Sequence, residues 1–347
     1  SGSGSDFDVV TIKDVPGYAT LVQKNTLESL DDYIADAGIN LADFNGITDQ
    51  VTVDGSLYEL PFRSDYWLIY YNKDVFDAAG IAYPSNDMTI EDYDALARQL
   101  TDTTYGSQVY GCHYHTWRSA VELFGILDGK HSILDGNYDW MIPYYDMILS
   151  EEDDGVCQTY TDLSTEGLHY SAAFSNGNVA MMNMGSWFIS TLISNLDSGE
   201  YDSSLCGNWG IASYPHPDGA EAGSTIATIT GLAVTSASAN KDAAFDFVNW
   251  VSGTEGAKVM ASTGNFPAIM TDDVINTIAG MAGFPTDESS KEALNITNAY
   301  LEVPYAENVS EINSILDTYH TSIMNREVTV EEGVASMNEQ VGKILNQ

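Results

Sequence analysis

Tyr66-Trp67-Leu68-Ile69-Tyr70-Tyr71, closed by Asn72-Lys73-Asp74, is a short, continuously apolar or aromatic run that stops abruptly at polar residues. Such a run reads as a β-strand buried on both faces, the kind found in sheets covered by helices. Upstream, Asp8-Val9-Val10-Thr11-Ile12 is strand-like too, and a loop carrying Lys13, Asp14 and Pro16 leads into an amphipathic stretch over Leu21 to Ile34 that predicts a helix. Downstream, Thr89-Ile90-Glu91-Asp92 sets a hydroxyl and a carboxylate at capping-box spacing, and Tyr93, Leu96, Ala97 and Leu100 then recur on one helical face. Strands alternating with helices in this way predict an α/β fold with a parallel or mixed sheet.

The rhythm repeats further along the chain. Aromatic residues concentrate from His113 to Met147, and a helix-then-strand pair covers Ser164 to Phe174 and Val179 to Met184. Ala244, Phe247, Val248 and Val251 mark one buried face of a helix over residues 240–260, and the C-terminal stretch predicts two short helices. At 347 residues the chain exceeds one ordinary core and suits two domains.

Composition narrows the function. Asp and Glu number 51 against 12 Lys and Arg, a formal charge of -39, whereas a nucleic-acid binder needs a basic face to neutralise phosphates. The acidity reads as a solvated, self-repelling surface, and it makes each arginine informative, above all Arg63 and Arg118. No stretch approaches the ~20 apolar residues of a membrane span. Cys112, Cys157 and Cys206 lack the short spacing of a zinc site or redox pair, so no metal and no cofactor is expected. A disulfide between two of the three stays open, with the pair undecided. No nucleophile elbow, phosphate loop or zinc helix is visible, and no catalytic residue is assigned.

Four segments, in order, resemble the extracellular solute-binding proteins of carbohydrate ABC importers, the family that includes the maltose-binding protein. They are Asp8-Val9-Val10 after a small-residue loop; Leu60-Pro61 with Tyr70-Tyr71-Asn72-Lys73-Asp74 and Gly80-Ile81; Phe174-Ser175-Asn176-Gly177 leading to Gly185-Ser186-Trp187; and Thr230-Gly231-Leu232-Ala233-Val234 with Gly264-Asn265-Phe266-Pro267-Ala268. Ser5 and Phe7 replace the family's usual proline context, and Pro84 falls slightly late. The resemblance implies a periplasmic-binding-protein-like α/β fold, two lobes with a hinge and a ligand cleft between them. It divides the chain into residues 1–108 with 231–300, a lobe one lacking its opening strand and helix, and residues 109–226 with 303–347 as lobe two. On this reading Ser1 to Ser5 is a native glycine-rich loop rather than an engineered linker.

A sugar offers apolar C–H faces and a rim of hydroxyls, which call for flat aromatics and for planar acids, amides or arginine. The resemblance places such residues at Lys13 and Asp14, at Arg63, Asp65, Tyr66 and Trp67, at His113 and Trp117, at Trp187, and at Asn265 and Phe266. Trp187 is the family's sugar-stacking position. The expected function is capture of an oligosaccharide and its delivery to the permease subunits of an ABC importer, by a monomer that catalyses nothing. The expected location is extracytoplasmic, as a cell-surface lipoprotein of a Gram-positive bacterium rather than a periplasmic protein. The alternatives are a binding protein for a peptide or polyamine, and a glycoside hydrolase, for which paired acids are present but no barrel pattern places them.

Overall fold

In a computed structural model, which describes residues 7–103 and 108–346, the deciding stretch is the second half of a strand of 13 residues. The strands are β1 (Val9–Ile12), β2 (Leu60–Asn72), β3 (Tyr110–His113), β4 (Val179–Gly185), β5 (Trp209–Ser213), β6 (Thr225–Val234) and β7 (Ala299–Leu301). Leu60-Pro61 and Tyr66–Tyr71, separate in the sequence reading, belong to this one strand. Ser1 to Ser5, read as a native loop, lie outside the described residues.

The chain divides into two compact units. One comprises the chain up to Tyr66 with Ala227–Met281 and Ala299–Ser310; the other comprises Trp67–Ile226, Ala282–Asn298 and the chain from Glu311 onwards. The expected division kept residues 67–108 with the first unit. The structure groups them with the second, because Trp67 to Asn72 is flanked by β4 on one side and β5 on the other. The helix Ile90–Thr103 packs on β3 for the same unit, and the helix Glu288–Glu292 packs on β5, which takes residues 282–298 there as well.

In the first unit β6 lies between β1 and the opening half of β2, all antiparallel. Asp14, expected in a loop, caps the helix Val15–Gln23, and Pro16 sits in its first turn, where a missing N–H does no harm. The predicted helix over Leu21 to Ile34 is broken. Asn25 takes a positive φ of 52°, Leu27 bridges to Thr235, and a new helix starts at Asp31–Ala37. The predicted helix over residues 240–260 is likewise two, Lys241–Ser252 and Thr254–Ala261. Its buried face carries Ala244, Phe245 and Val248, whereas Phe247 is 53 % exposed.

In the second unit the order is β5-β2-β4-β3, antiparallel except for β3 beside β4, so the sheet is mixed. All seven residues of β4 are buried. Inside this sheet the Tyr93 hydroxyl donates to Asn183 Oδ1 at 2.6 Å, and Asn183 Nδ2 donates to the Tyr214 hydroxyl at 3.0 Å, so the buried amide is satisfied. The Thr89 capping box forms as expected, with Thr89 N–H donating to Asp92 Oδ2 at 3.2 Å and Asp92 N–H to Thr89 Oγ1 at 3.1 Å.

One buried group of the first unit makes stability depend on pH. Glu59 is 1 % exposed, and its Oε2 has no hydrogen-bond partner among the described residues. Burial, then the nearby Asp14 charge, pushes its carboxyl from 4.5 up to about 8. Between those values the folded protein holds a proton that the unfolded chain has released, so stability present at low pH is lost as pH rises through that window. Glu59→Gln should flatten that decline by up to a few kcal/mol, measured by denaturant unfolding from pH 5 to 8.5. Parallel profiles for the two proteins would show that Glu59 does not carry the effect.

Candidate functional site

The residues singled out above divide between the two units, with Lys13, Asp14, Arg63, Asp65, Tyr66, Asn265 and Phe266 in the first and Trp67, His113, Trp117 and Trp187 in the second. In the first unit a bulge between Pro61 and Arg63 shifts the pairing of β2 against β6. Bulges re-aim side chains. Beyond this one Arg63 and Asp65 share a side of the strand, and Arg63 Nε donates to Asp65 Oδ2 at 2.6 Å and Nη2 to Oδ1 at 3.3 Å. The fork fixes a buried carboxylate and leaves the guanidinium partly in solvent. The Ser64 N–H donates to the Phe266 carbonyl at 3.2 Å and the Ala268 N–H to the Phe62 carbonyl at 3.0 Å, which docks the segment carrying Asn265 alongside Arg63. Asn265 is half-buried and donates to Thr263 Oγ1 at 2.9 Å.

Two expectations for this unit are corrected. Tyr66 and Phe266 are both 0 % exposed and pack edge to face at 6.2 Å, because they fall on the core side of their backbone segments. They support Arg63 and Asp65 rather than offering rings to a ligand. Lys13 and Asp14 are exposed, and Asp14 Oδ1 accepts the Gly17 N–H at 2.8 Å, so the capping role is real and leaves its second oxygen free of that bond.

In the second unit three tryptophans distant in sequence meet. Trp67 lies 5.5 Å from Trp187 at 81° and 6.4 Å from Trp117 at 88°, and Trp117 lies 6.3 Å from Trp187. The two contacts of Trp67 are edge to face, the arrangement aromatic quadrupoles favour, and Trp117 and Trp187 are tilted at 57° to each other. Trp67 is only 3 % exposed, Trp187 is half-buried, and Trp117 is 40 % exposed. Trp67 is therefore the backing of the wall and not its outer surface, a correction to its expected role. Its indole N–H has no hydrogen-bond partner among the described residues. Trp187 Nε1 donates to the Tyr170 hydroxyl at 3.2 Å, which holds the ring in place. Gly185 is required beneath it, since a Cβ there would lie 2.1 Å from the Trp187 ring.

Sequence reasoning missed the rest of this wall. Tyr170 packs 5.7 Å from Trp117, and His115 lies 4.6 Å from Trp117 and 5.4 Å from Tyr170. The available signal was His169-Tyr170, a polar-tipped aromatic pair opening a short helix between two apolar segments. His113 is corrected as well. It is 1 % exposed on β3, and burial with the neighbouring His115 pushes it down to about 3, so it is neutral near pH 7 and turned inward. Arg118 is taken up by Glu122 at 2.5 Å, by Asp317 and by Asn313, and holds two helices together.

A separate open groove of about 780 Å³ in this unit is lined by Asp146, Ser150, Asp154, Arg326 and Glu332 among others, with no aromatic ring. Its Arg326 is held by Asp153 and by the Leu149 carbonyl. The groove thus lacks the flat surface that the tryptophan wall provides. Among the described residues one cluster has the donor types of a metal site, Cys112, Glu151 and Cys157, and all three are buried.

Comparison with known proteins agrees with the architecture. The profile of bacterial extracellular solute-binding proteins matches residues 1–258. The crystal structure of a sugar transporter from Rhizobium etli, in an open conformation, is 47 % identical with a TM-score of 0.93, covering 99 % of this chain and 86 % of that one. An ABC substrate-binding protein from Listeria monocytogenes, solved with cycloalternan, shares the fold at 21 % identity and a TM-score of 0.77, covering 97 % of this chain and 84 % of that one. A mannitol-binding protein from Pseudomonas aeruginosa is 24 % identical over 266 residues, which are 74 % of this chain and 59 % of that relative's length. The matched profile spans most of the sequence, and the near-complete match at 47 % identity agrees with it. The chain belongs to the family of bacterial extracellular solute-binding proteins.

Proposed function

We propose that this protein captures an oligosaccharide outside the cytoplasmic membrane and delivers it to the permease of an ABC importer, without catalysing a reaction. The observation that carries this reading is the wall of Trp117 and Trp187 backed by Trp67, an apolar surface of rings with polar tips at its edge. Sugar C–H faces stack on such rings, and the Tyr170 hydroxyl and His115 at the border meet hydroxyl groups. The other unit supplies by itself the complementary chemistry: the Arg63–Asp65 fork, Asn265, Lys13 and Asp14, all suited to paired hydrogen bonds with vicinal hydroxyls. The description of the 47 % identical relative as a sugar transporter supports the same class of ligand.

A second reading has one observation in its favour, the mannitol-binding relative. A linear polyol presents no ring face, so it would draw on the hydrogen-bonding face and gain little from the tryptophans. Calorimetric titration with mannitol and with a panel of oligosaccharides separates the two. Heat only with mannitol would overturn the oligosaccharide reading, and release of reducing ends from any glycan would overturn the non-enzymatic one.

Binding by two lobes couples to closure, because a ligand shifts the population toward the state it contacts better. Small-angle scattering should show a smaller radius of gyration at saturation with a tight ligand. An unchanged profile would count against closure.

Trp187→Ala should weaken oligosaccharide binding by roughly 1–3 kcal/mol, the loss expected when a large aromatic contact leaves a binding surface. If Trp187 were only packing, the same change would instead lower folding stability by about 3–5 kcal/mol and leave the affinity of the folded fraction nearly unchanged. Calorimetry and denaturant unfolding on one preparation distinguish these outcomes.

A further inference from the structure

Two of the three cysteines meet in the core of the second unit. Cys112 lies on β3 and Cys157 follows the helix Ile142–Asp153, and the Cys112 N–H donates to the Val156 carbonyl at 3.4 Å, which sets the two segments side by side. Their sulfurs and a Glu151 oxygen all lie within 4.8 Å of one another. Cys112 is 0 % and Cys157 3 % exposed, and Glu151 is 0 % exposed with no hydrogen bond of ordinary geometry to either oxygen among the described residues. Cys206 lies elsewhere, at the end of the helix Ser203–Cys206, with its thiol directed at the Asp202 carbonyl at 3.7 Å.

We propose that Cys112 and Cys157 form a disulfide in the mature protein, cross-linking β3 to the segment after the helix Ile142–Asp153, while Cys206 stays a free thiol. Adjacent backbones, with sulfurs within 4.8 Å of one another, bring these two cysteines into the neighbourhood that an S–S bond of ~2.05 Å requires, a choice that sequence spacing left open. The setting is the extracellular one of the family, where thiols are oxidised and kept so. During folding, before burial, the thiolate of one cysteine attacks a small-molecule disulfide such as oxidised glutathione and displaces one glutathione thiolate. The second cysteine then attacks the mixed disulfide and displaces the other. Two protons leave the protein and two electrons pass to the glutathione disulfide, which becomes two thiols.

The surroundings favour this bond over a bound metal. Burial holds the Cys112 thiol well above its ordinary range; at Cys157 a hydrogen bond with Cys112 pulls downward, yet burial leaves that thiol raised too. Burial also pushes Glu151 up to about 8, with the nearby Tyr114 hydroxyl only partly opposing it. A metal would have to expel three protons from a buried site, whereas a disulfide removes both thiol protons and leaves a neutral carboxyl beside an apolar bond. The cross-link ties down the strand that leads through His113 to His115 and Trp117. It therefore braces the base of the aromatic wall.

The test needs no ligand, so its outcome is independent of what the protein binds. The wild-type chain is unfolded under reduction and refolded in a buffer of reduced and oxidised glutathione, then denatured and its free thiols counted. One free thiol, a mass about 2 Da lower, and a non-reduced peptide joining Cys112 to Cys157 are expected. Reduction should lower the melting temperature by about 5–15 °C in wild type and in Cys206→Ala, and not in Cys112→Ala. Three free thiols, a linkage through Cys206, or stoichiometric zinc retained with all thiols reduced would overturn the proposal. The wild-type peptide map decides even if Cys112→Ala fails to fold.

Discussion

The hydrogen-bonding demand of β2 constrains most of what surrounds it. From Tyr66 to Asn72 each residue is buried, so no water is available to its N–H and C=O groups, and each unpaired one would cost as much as a lost hydrogen bond. The chain meets this demand in two stages. Leu60 to Tyr66 pairs with β6, and Trp67 to Tyr71 pairs with β4 and β5 on opposite sides. The two compact units part at Tyr66 and Trp67, where this strand changes partners. One continuous strand thus belongs to two cores, and the bulge after Pro61 adjusts its register so that Arg63 and Asp65 lie on the side away from Tyr66.

Charge is disposed of locally rather than left for recognition. All four arginines are engaged: Arg63 with Asp65, Arg98 with Asp94 and Asp154, Arg118 with Glu122 and Asp317, and Arg326 with Asp153. Lys73, Lys241, Lys258 and Lys343 are paired as well. With an excess of 39 negative charges, these cations relieve the acidic surface instead of forming a patch for an anion. The pairs at the surface contribute little to stability individually. Arg118 with Glu122 differs, since both are buried, and removing one partner would strand the other's charge in the core.

How much of this was legible in the sequence follows the physics of each signal. The double-sided burial of β2 and the capping box at Thr89 were readable because they depend on contiguous residues. Trp187 and the Arg63–Asp65 segment were singled out through motif resemblance, and in the structure Trp187 donates to Tyr170 and Arg63 to Asp65. Orientation was not readable. Tyr66, Phe266 and Trp67 share residue type with a stacking ring, but a shift of one position on a strand turns a side chain from one face to the other, and a bulge intervenes. Phe245 rather than Phe247 faces the core for the helical equivalent of this reason, a displacement of about 200° over two residues. Tyr170 and Glu59 went unassigned because their contacts are long-range, with Trp187 and Gly231, which no local window contains. The proximity of Cys112 to Cys157 was illegible in the same way.

The aromatic wall derives its value from what stands behind it. An isolated surface tryptophan loses rotamer freedom when it stacks on a ligand, and that loss subtracts from affinity. Here Trp187 is already held by the Tyr170 hydroxyl, by the buried edge of Trp67 and by the absence of a side chain at Gly185. Trp117 is held by Trp67, His115 and Tyr170. The conformational entropy of these rings is spent during folding and supported by the hydrophobic burial of β2 and β4. A ligand that meets the wall therefore gains stacking contact without ordering it first, and the strand that demanded two sets of partners is also the strand that places Trp67 where it fixes both of the outer rings.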